Sequence, residues 1–533
     1  MITAAPAKSF ARFRKLVRIG VAFELVLIAL SVCLRETAFG VHIGNFLLLT
    51  HYPVLMAIMY FGFGEGFLGA VLWTILCGLI GLLMFGAVWG LCFYLVSRLC
   101  IRVLAWLGLR TEQKLVLKGG LAALCIVVLV WLGISALGAR QVQFTASPEV
   151  RSTVDANTAF ALELYNRLKE QPGNLFFSPF SISTALAMTY AGARGQTATE
   201  MAETLHFNLP AENQHAAFGV LVERMKNIQR HGRITLAIAS SLWCQHDYKF
   251  TDEFLRLIRK YYGGEARQVD FRHAPETAAR EINDWVSSKT KRKIKAMVEP
   301  SQFTTDSRLV LCNAIYFKGK WLHQFKPKDT KPAPFHVGPE KTVLVPMMYQ
   351  SSDFKVAYTD DDVQLLELPY AGNAVSMVIL LPEIGDEAGD IHQPPLLDLE
   401  RKLTLTNLRA WLEKLDRDSP GKTAVWLPKF VVTHSSNLSD ELKALGMASA
   451  FGPSADFSGM DGTTNLFVSD VVHMAHVEVE ETGTTATAVS VSFMPAKSMA
   501  NQFRVDRPFI FLIRDNGSGT ILFLGRVVDP TQQ

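Results

Sequence analysis

The feature that most constrains the fold of this chain is an alternating stretch near its C-terminus, residues 480–493 (EETGTTATAVSVSF). Small side chains alternate there with β-branched or aromatic ones, and the small set is Thr484, Ala486, Ala488, Ser490 and Ser492. Period-two alternation predicts a β-strand. The small face has no large apolar residue with which to build a core. Such a segment suits a strand that enters an existing sheet, because a small inner face avoids steric overlap.

An irregular run follows the alternating segment. Pro495, Ala496, Lys497 and Ser498 interrupt the pattern and include a basic side chain. Proline after a strand-like segment is typical of a loop. The sequence therefore predicts a strand without a partner, followed by an exposed loop that a protease can cleave.

This stretch resembles the reactive-centre loop of the serpin family, in which a Glu, a Gly, a Thr and several small residues precede the cleaved bond. The loop hinge that the resemblance implies consists of Glu481, Gly483, Thr484, Thr485, Ala486, Thr487 and Ala488. The segment 503–513 (FRVDRPFIFLI) is similar to the family's C-terminal signature. Counting forward from Gly483 and backward from Pro508 gives the same reactive bond, between Lys497 and Ser498.

The resemblance covers residues 151–533 and implies a monomeric α+β serpin fold with three β-sheets, eight to nine helices and an exposed reactive-centre loop. Residues 157–169 have helical periodicity, and strand-like runs come after them, which favours an α+β class. The predicted strands are 234–244, 309–317, 363–368, 375–381, 423–430 and 521–528.

Three further segments match the family pattern: 174–182 (NLFFSPFSI), 313–321 (NAIYFKGKW) and 471–474 (VVHM). By resemblance, they supply the polar cluster called the shutter, where two central strands separate. Its predicted members are Ser178, Ser181, Asn313 and His473.

The N-terminal part of the chain has a different composition, which explains the positive mean hydropathy of +0.19. Four apolar runs, residues 16–34, 41–63, 67–96 and 115–137, are long enough to predict membrane-spanning helices. The sequence thus predicts a multi-pass α-helical transmembrane anchor (1–137), a tether (138–150) and a serpin domain (151–533).

Basic residues lie between positions 8 and 18 and between positions 98 and 118, so the positive-inside rule places both groups in the cytoplasm. An even number of membrane crossings must then separate the two basic groups, but three apolar runs lie between them. The first run contains Glu24, and the second contains Asn45, His51 and Pro53, so one of the two is expected not to cross. The serpin domain would then be extracytoplasmic; four crossings would place it in the cytoplasm.

The residues do not favour an enzyme. Gly517-Ser518-Gly519 lacks the spacing of a nucleophile elbow, and the thirteen histidines form no metal-spaced pair, so neither metal nor cofactor is expected. A net charge of +4 is too small to indicate nucleic acid. The basic run 289–295 is interpreted as a solvated helix end, with polyanion binding as the alternative.

The prediction is therefore a serine protease inhibitor that acts as a suicide substrate. Lys497 would enter the pocket of a trypsin-like protease, and after cleavage residues 483–493 would insert into the central sheet. Two alternatives stay open: a non-inhibitory serpin (a carrier, a chaperone or a plain substrate) and an inhibitor of cysteine proteases.

Overall fold

The computed structural model describes residues 144–230, 234–383, 395–482 and 501–532. The helices in these ranges are α1 (Pro148–Leu168), α2 (Pro179–Tyr190), α3 (Gly195–Thr204), α4 (Ala211–Arg230), α5 (Asp252–Tyr262), α6 (Pro275–Lys289), α7 (Pro395–Lys402), α8 (Leu405–Arg417), α9 (Ser439–Leu442) and α10 (Ser458–Asp461). The strands are β1 (Leu175–Phe177), β2 (Ile234–Gln245), β3 (Glu265–Val269), β4 (Leu309–Gly319), β5 (Lys331–Gly338), β6 (Lys341–Tyr358), β7 (Val363–Pro369), β8 (Val375–Pro382), β9 (Gly421–Pro428), β10 (Phe430–Asn437), β11 (Val468–Val479), β12 (Asn501–Arg504), β13 (Phe509–Asp515) and β14 (Ile521–Val527).

The predicted α+β class is confirmed, and each strand-like run coincides with an observed strand. The run 423–430 is an exception in detail, because it covers β9 and the first residue of β10, with Lys429 between them. The predicted helix 157–169 begins earlier, at Pro148. The Ser147 hydroxyl accepts a hydrogen bond from the Val150 amide at 3.3 Å and caps the helix. Residues 148–150, interpreted from sequence as tether, are therefore helical.

Five strands form a central sheet in the order β10-β11-β4-β2-β3. Both faces of this sheet are covered. Leu309, Leu311 and Phe317 of β4 face the main hydrophobic core, whereas Val310 and Cys312 face a smaller core built with α6. The near-continuous apolar sequence of β4 follows from this double burial.

The remaining strands form a nine-stranded sheet in the order β1-β14-β13-β8-β7-β6-β9-β12, with β5 paired to β6. Strand β6 is 18 residues long, and it pairs with β5 and β9 before it reaches β7. Two of the three predicted sheets are therefore continuous through one strand, β6.

The four predicted membrane spans and residues 138–143 of the tether lie outside the described residues. Within the described ranges, no helix has both the length and the apolar character needed to cross a bilayer.

Candidate functional site

The base of the predicted loop is anchored where β11 ends. Glu481 and Thr482 are described; the other predicted loop residues lie outside the described ranges, namely Gly483, Thr484, Thr485, Ala486, Thr487, Ala488, Lys497 and Ser498. Strand β12 begins on the far side of the loop at Asn501. Chain geometry thus fixes both ends of the segment that carries the predicted reactive bond.

Glu481 is held by contacts to three other chain segments. One of its carboxylate oxygens pairs with Lys429 Nζ at 3.0 Å, and the other accepts a hydrogen bond from the Thr330 hydroxyl at 2.9 Å. Its carbonyl accepts from the Phe325 amide at 2.9 Å. Burial opposes ionisation of this carboxyl, but the hydrogen bonds from Lys429 and Thr330 lower its pKa below the ordinary value. Glu481 is therefore ionised and fixed at neutral pH.

Trp321 supplies a second anchor for the base of the loop. Its indole N–H donates to the Glu480 carbonyl at 2.8 Å, and its amide lies 3.4 Å from the Thr482 carbonyl. The indole stacks on Tyr370, with ring centroids 4.5 Å apart, and both side chains are buried. Sequence reasoning assigned no role to Trp321, Thr330 or Lys429; their contacts depend on tertiary structure and leave no local signal.

The four predicted shutter residues lie together in one buried cluster. Ser178 caps α2: its hydroxyl accepts from the Ser181 amide at 3.2 Å and donates to the Leu522 carbonyl at 2.6 Å. The Asn313 amide nitrogen lies 2.6 Å from the Ser181 hydroxyl and 2.8 Å from that of Ser240, a residue that the sequence did not suggest. The cluster joins α2 to β2 and β4.

His473 connects this cluster to β11, because Asn313 and His473 are directly paired across β4 and β11. The Ser178 amide donates to Nε2 of His473 at 3.2 Å, so Nε2 carries no proton. Nδ1 therefore carries the proton and donates to the Asn313 carbonyl oxygen at 2.7 Å. Burial, assisted by the nearby His434, lowers the pKa of His473 to about 3. The imidazole is neutral at physiological pH.

Acidification is expected to destabilise the fold through His473. An unfolded histidine has a pKa near 6.5, so the folded state binds fewer protons below that pH. The contribution of neutral His473 to the stability of the folded state is complete above about pH 6.5. It decreases by about 1.4 kcal/mol per pH unit as the pH falls toward the folded-state pKa. Between pH 7 and pH 5, the free energy of unfolding measured with urea should fall by roughly 2 kcal/mol more in the original protein than in the His473→Gln variant, whose residue 473 does not titrate. Equal losses in both proteins would refute this role of His473.

Strands β4 and β11 are parallel, and their register runs from Leu309 and Val468 to Phe317 and Val477. Because they are parallel, both strands end at the same edge of the sheet, next to the base of the loop. A chain that turned back there would run antiparallel to both strands. Lys293, which follows α6 in the chain, contacts one residue on each of the two strands. Its Nζ is 4.0 Å from the Glu478 carboxylate on β11 and 5.9 Å from the centre of the Tyr316 ring on β4.

The basic run that contains Lys293 is only partly neutralised. Lys289 Nζ pairs with Glu265 at 2.6 Å, and Lys291 Nζ lies 3.3 Å from the Thr235 hydroxyl. These contacts fix two of its side chains on the protein surface. Helix α6 ends at Lys289, so the run begins at a helix end, as the sequence indicated.

Comparisons with known proteins agree with this geometry. The family model described as "Serpin (serine protease inhibitor)" matches residues 155–530. The chain is 41% identical over 382 residues to leukocyte elastase inhibitor A of Rattus norvegicus, covering 70% of this chain and 98% of the relative. It is 38% identical over 385 residues to an uncharacterized serpin-like protein of Thermococcus kodakarensis, covering 71% of this chain and 86% of the relative.

Among solved structures, the chain is similar to uncleaved ovalbumin, with a TM-score of 0.62 and 30% identity. The match covers 71% of this chain and all of the ovalbumin chain. Sequence motifs, sheet topology and these relatives identify the same family. The chain belongs to the serpins.

Proposed function

We propose that this serpin inhibits a trypsin-like serine protease as a suicide substrate. The observation that carries the proposal is the match between the loop segment and the β4–β11 pair. The segment 483–493 contains eleven residues, and β4 also has 11. The segment follows β11 at the edge where both strands end. Its small face suits insertion between two strands that are packed on both sides.

The chemical step belongs to the protease. Its serine hydroxyl attacks the carbonyl carbon of Lys497, the peptide bond to Ser498 breaks, and the Ser498 amine leaves with a proton. An ester between the protease serine and Lys497 remains. The upstream part of the loop is then no longer tied to β12, so residues 483–493 are free to insert.

Insertion would convert the five-stranded sheet into a six-stranded one. Each new ladder hydrogen bond contributes about 1 kcal/mol net, and ordering each residue costs a comparable amount. Burial of the segment between two strands adds hydrophobic stabilisation. The protease, still attached at Lys497, would move away from its docking position before the ester hydrolyses.

Lys497 supports the trypsin-like specificity, because a pocket with an acidic floor selects Lys or Arg. The relatives support a second specificity: the matched rat protein is named as an inhibitor of leukocyte elastase. Elastase-type pockets accept small residues, and cleavage by such an enzyme would occur at a bond other than that between Lys497 and Ser498.

The deciding experiment is incubation of the serpin domain with trypsin, chymotrypsin, elastase and papain. We expect an SDS-stable complex with trypsin and a released peptide that begins at Ser498, identified by mass spectrometry. Cleavage without any stable complex would indicate a non-inhibitory serpin. A complex formed with papain alone would indicate a cysteine-protease inhibitor.

Replacing Lys497 tests the assigned bond. Lys497→Leu should lower the rate of complex formation with trypsin by at least about a hundredfold, because the aliphatic side chain cannot pair with the acidic pocket floor. Lys497→Arg is the matched control and should keep the rate within a few-fold of the original. An unchanged rate in the Leu variant would show that the bond has been assigned wrongly.

We further propose that residues 1–137 hold the serpin domain at a membrane, on its extracytoplasmic side. The four apolar runs and the distribution of basic residues support this location. The full chain should stay in the membrane pellet after extraction at alkaline pH. Protease added outside intact cells should digest the domain; protection of the domain until lysis would place it in the cytoplasm.

A further inference from the structure

We propose that the exposed face of β6, β9 and β12 is a docking surface for the body of the protease, and that Arg504 and Trp426 determine which proteases fit it. We call this surface the aromatic platform; it consists of Tyr349, Trp426 and Arg504. The proposal rests on the proposed function, because it places the protease at the bond between Lys497 and Ser498.

The three side chains form a continuous row across three neighbouring strands, in which the planes of the two rings are tilted by 45°. Trp426 is paired in register with Tyr349 on one side and with Arg504 on the other. The Tyr349 and Trp426 ring centroids are 5.0 Å apart, and Cζ of Arg504 lies 4.7 Å from the centre of the indole. At roughly 4.8 Å between strands, the row is about 10 Å long.

This row of side chains lies on the outer face of the sheet. The neighbours of its members along the strands, Val425, Leu427, Phe503 and Val505, are buried, and side chains alternate between the faces of a strand. Trp426 is half-buried and Arg504 is exposed. Within the described ranges, the Arg504 side chain contacts the Trp426 ring and has no ion pair, so its guanidinium donors are available to a partner.

The composition of the platform is that of a binding surface. Core packing does not require a partly exposed Trp with an Arg stacked on it. Trp, Tyr and Arg are the residues that most often dominate the binding energy of protein interfaces. An unpaired guanidinium selects a carboxylate, and the indole below it adds apolar contact. The platform therefore fits a protease surface that presents an acidic side chain beside an apolar one.

Chain length places the protease over the platform. Ser498 comes three positions before Asn501, so the reactive bond lies within about 11 Å of the start of β12. Arg504 lies about 10 Å farther along that strand. A protease domain of roughly 200 residues has a radius of gyration of about 16 Å. When an enzyme is bound at the reactive bond, a part of its surface outside the catalytic cleft therefore contacts the platform.

A footprint tests the contact directly. The serpin domain is mixed with trypsin whose catalytic serine is replaced by alanine, which binds the loop without cleaving it, and is then modified with an arginine reagent. We expect modification of Arg504 to fall at least about fivefold in the complex, as measured by mass spectrometry. Arg256, an exposed arginine of α5, should be modified equally with and without the protease. Equal modification of Arg504 in both samples would overturn the proposal.

A charge reversal tests whether the contact selects proteases. Arg504→Glu should lower the association rate with active trypsin by about tenfold, because it replaces attraction to a protease carboxylate with repulsion and interface charges act mainly on the association rate. The stoichiometry of inhibition and the melting temperature should not change, and Arg256→Glu should behave like the original protein. An unchanged rate in Arg504→Glu, with inhibition intact, rejects the platform alone. Failure of the original protein to form any complex rejects the proposed function instead.

Discussion

Thr484→Arg is expected to convert this serpin from an inhibitor into a substrate. Thr484 begins the small face of the segment that would enter between β4 and β11. Near the loop edge, the face of the sheet that carries Phe317 and Val477 is buried in the main core, whereas the opposite face carries the half-buried His476 and Glu478. An arginine there would bury a guanidinium without a partner, which costs several kcal/mol. Insertion would then be slower than hydrolysis of the ester to Lys497.

The measurement is the number of serpin molecules consumed per protease inhibited. It should rise from near one to at least about ten, with nearly all of the Thr484→Arg protein recovered as cleaved chain. Thr485→Arg is the matched control: it carries the same charge one residue later, on the opposite face of the alternating segment, and should remain an inhibitor. Equal inhibition by Thr484→Arg and the original protein would refute insertion.

Replacing Asn313 with Ala is expected to give the second largest effect, a loss of about 2–4 kcal/mol in the free energy of unfolding. The change removes the acceptor of the His473 N–H and the donor to the Ser181 carbonyl, both deep in the protein. Each buried group left without a partner costs about 1–3 kcal/mol. Chemical unfolding followed by circular dichroism would measure the loss.

Ser240→Ala supplies a graded comparison for this prediction. It removes one hydroxyl that contacts Asn313 and leaves the bonds to His473 and Ser181 in place. Its cost should stay near 1 kcal/mol. A similar cost in both variants would mean that the Asn313–His473 bond contributes little to the stability of the sheet.

Local patterns were sufficient to predict the buried strands. Runs such as 309–317 and 375–381 are apolar on both faces, and β4 and β8 occur there. No strand was predicted over β5 and β6, which contain Pro332, Pro334 and Pro346 and expose many side chains. Proline is tolerated in such partly exposed strands but weakens the pattern on which the prediction depends.

The polar cluster around Asn313 could be predicted because a resemblance supplied several positions at once. The anchors of Glu481 could not. Lys429 lies inside a single strand-like run, and Thr330 and Trp321 contact the loop base across more than 150 residues of sequence. The platform around Trp426 depends on the register of β6, β9 and β12, which no local pattern specifies.

The parallel pairing of β4 and β11 has a mechanical consequence. A segment that enters from the loop edge would separate the two strands one residue pair, or rung, at a time. The hydrogen bonds between the strands therefore do not all have to break at once. The rung between Asn313 and His473 is the fifth from that edge, after those at Val477, His476, Ala475 and Met474. The first four rungs break only backbone bonds and side-chain packing, whereas the fifth also breaks the side-chain bond between Asn313 and His473. Separating the pair of Asn313 and His473 therefore costs more than separating any of the four pairs before it, so an inserting segment meets its largest single cost near the middle of the paired region.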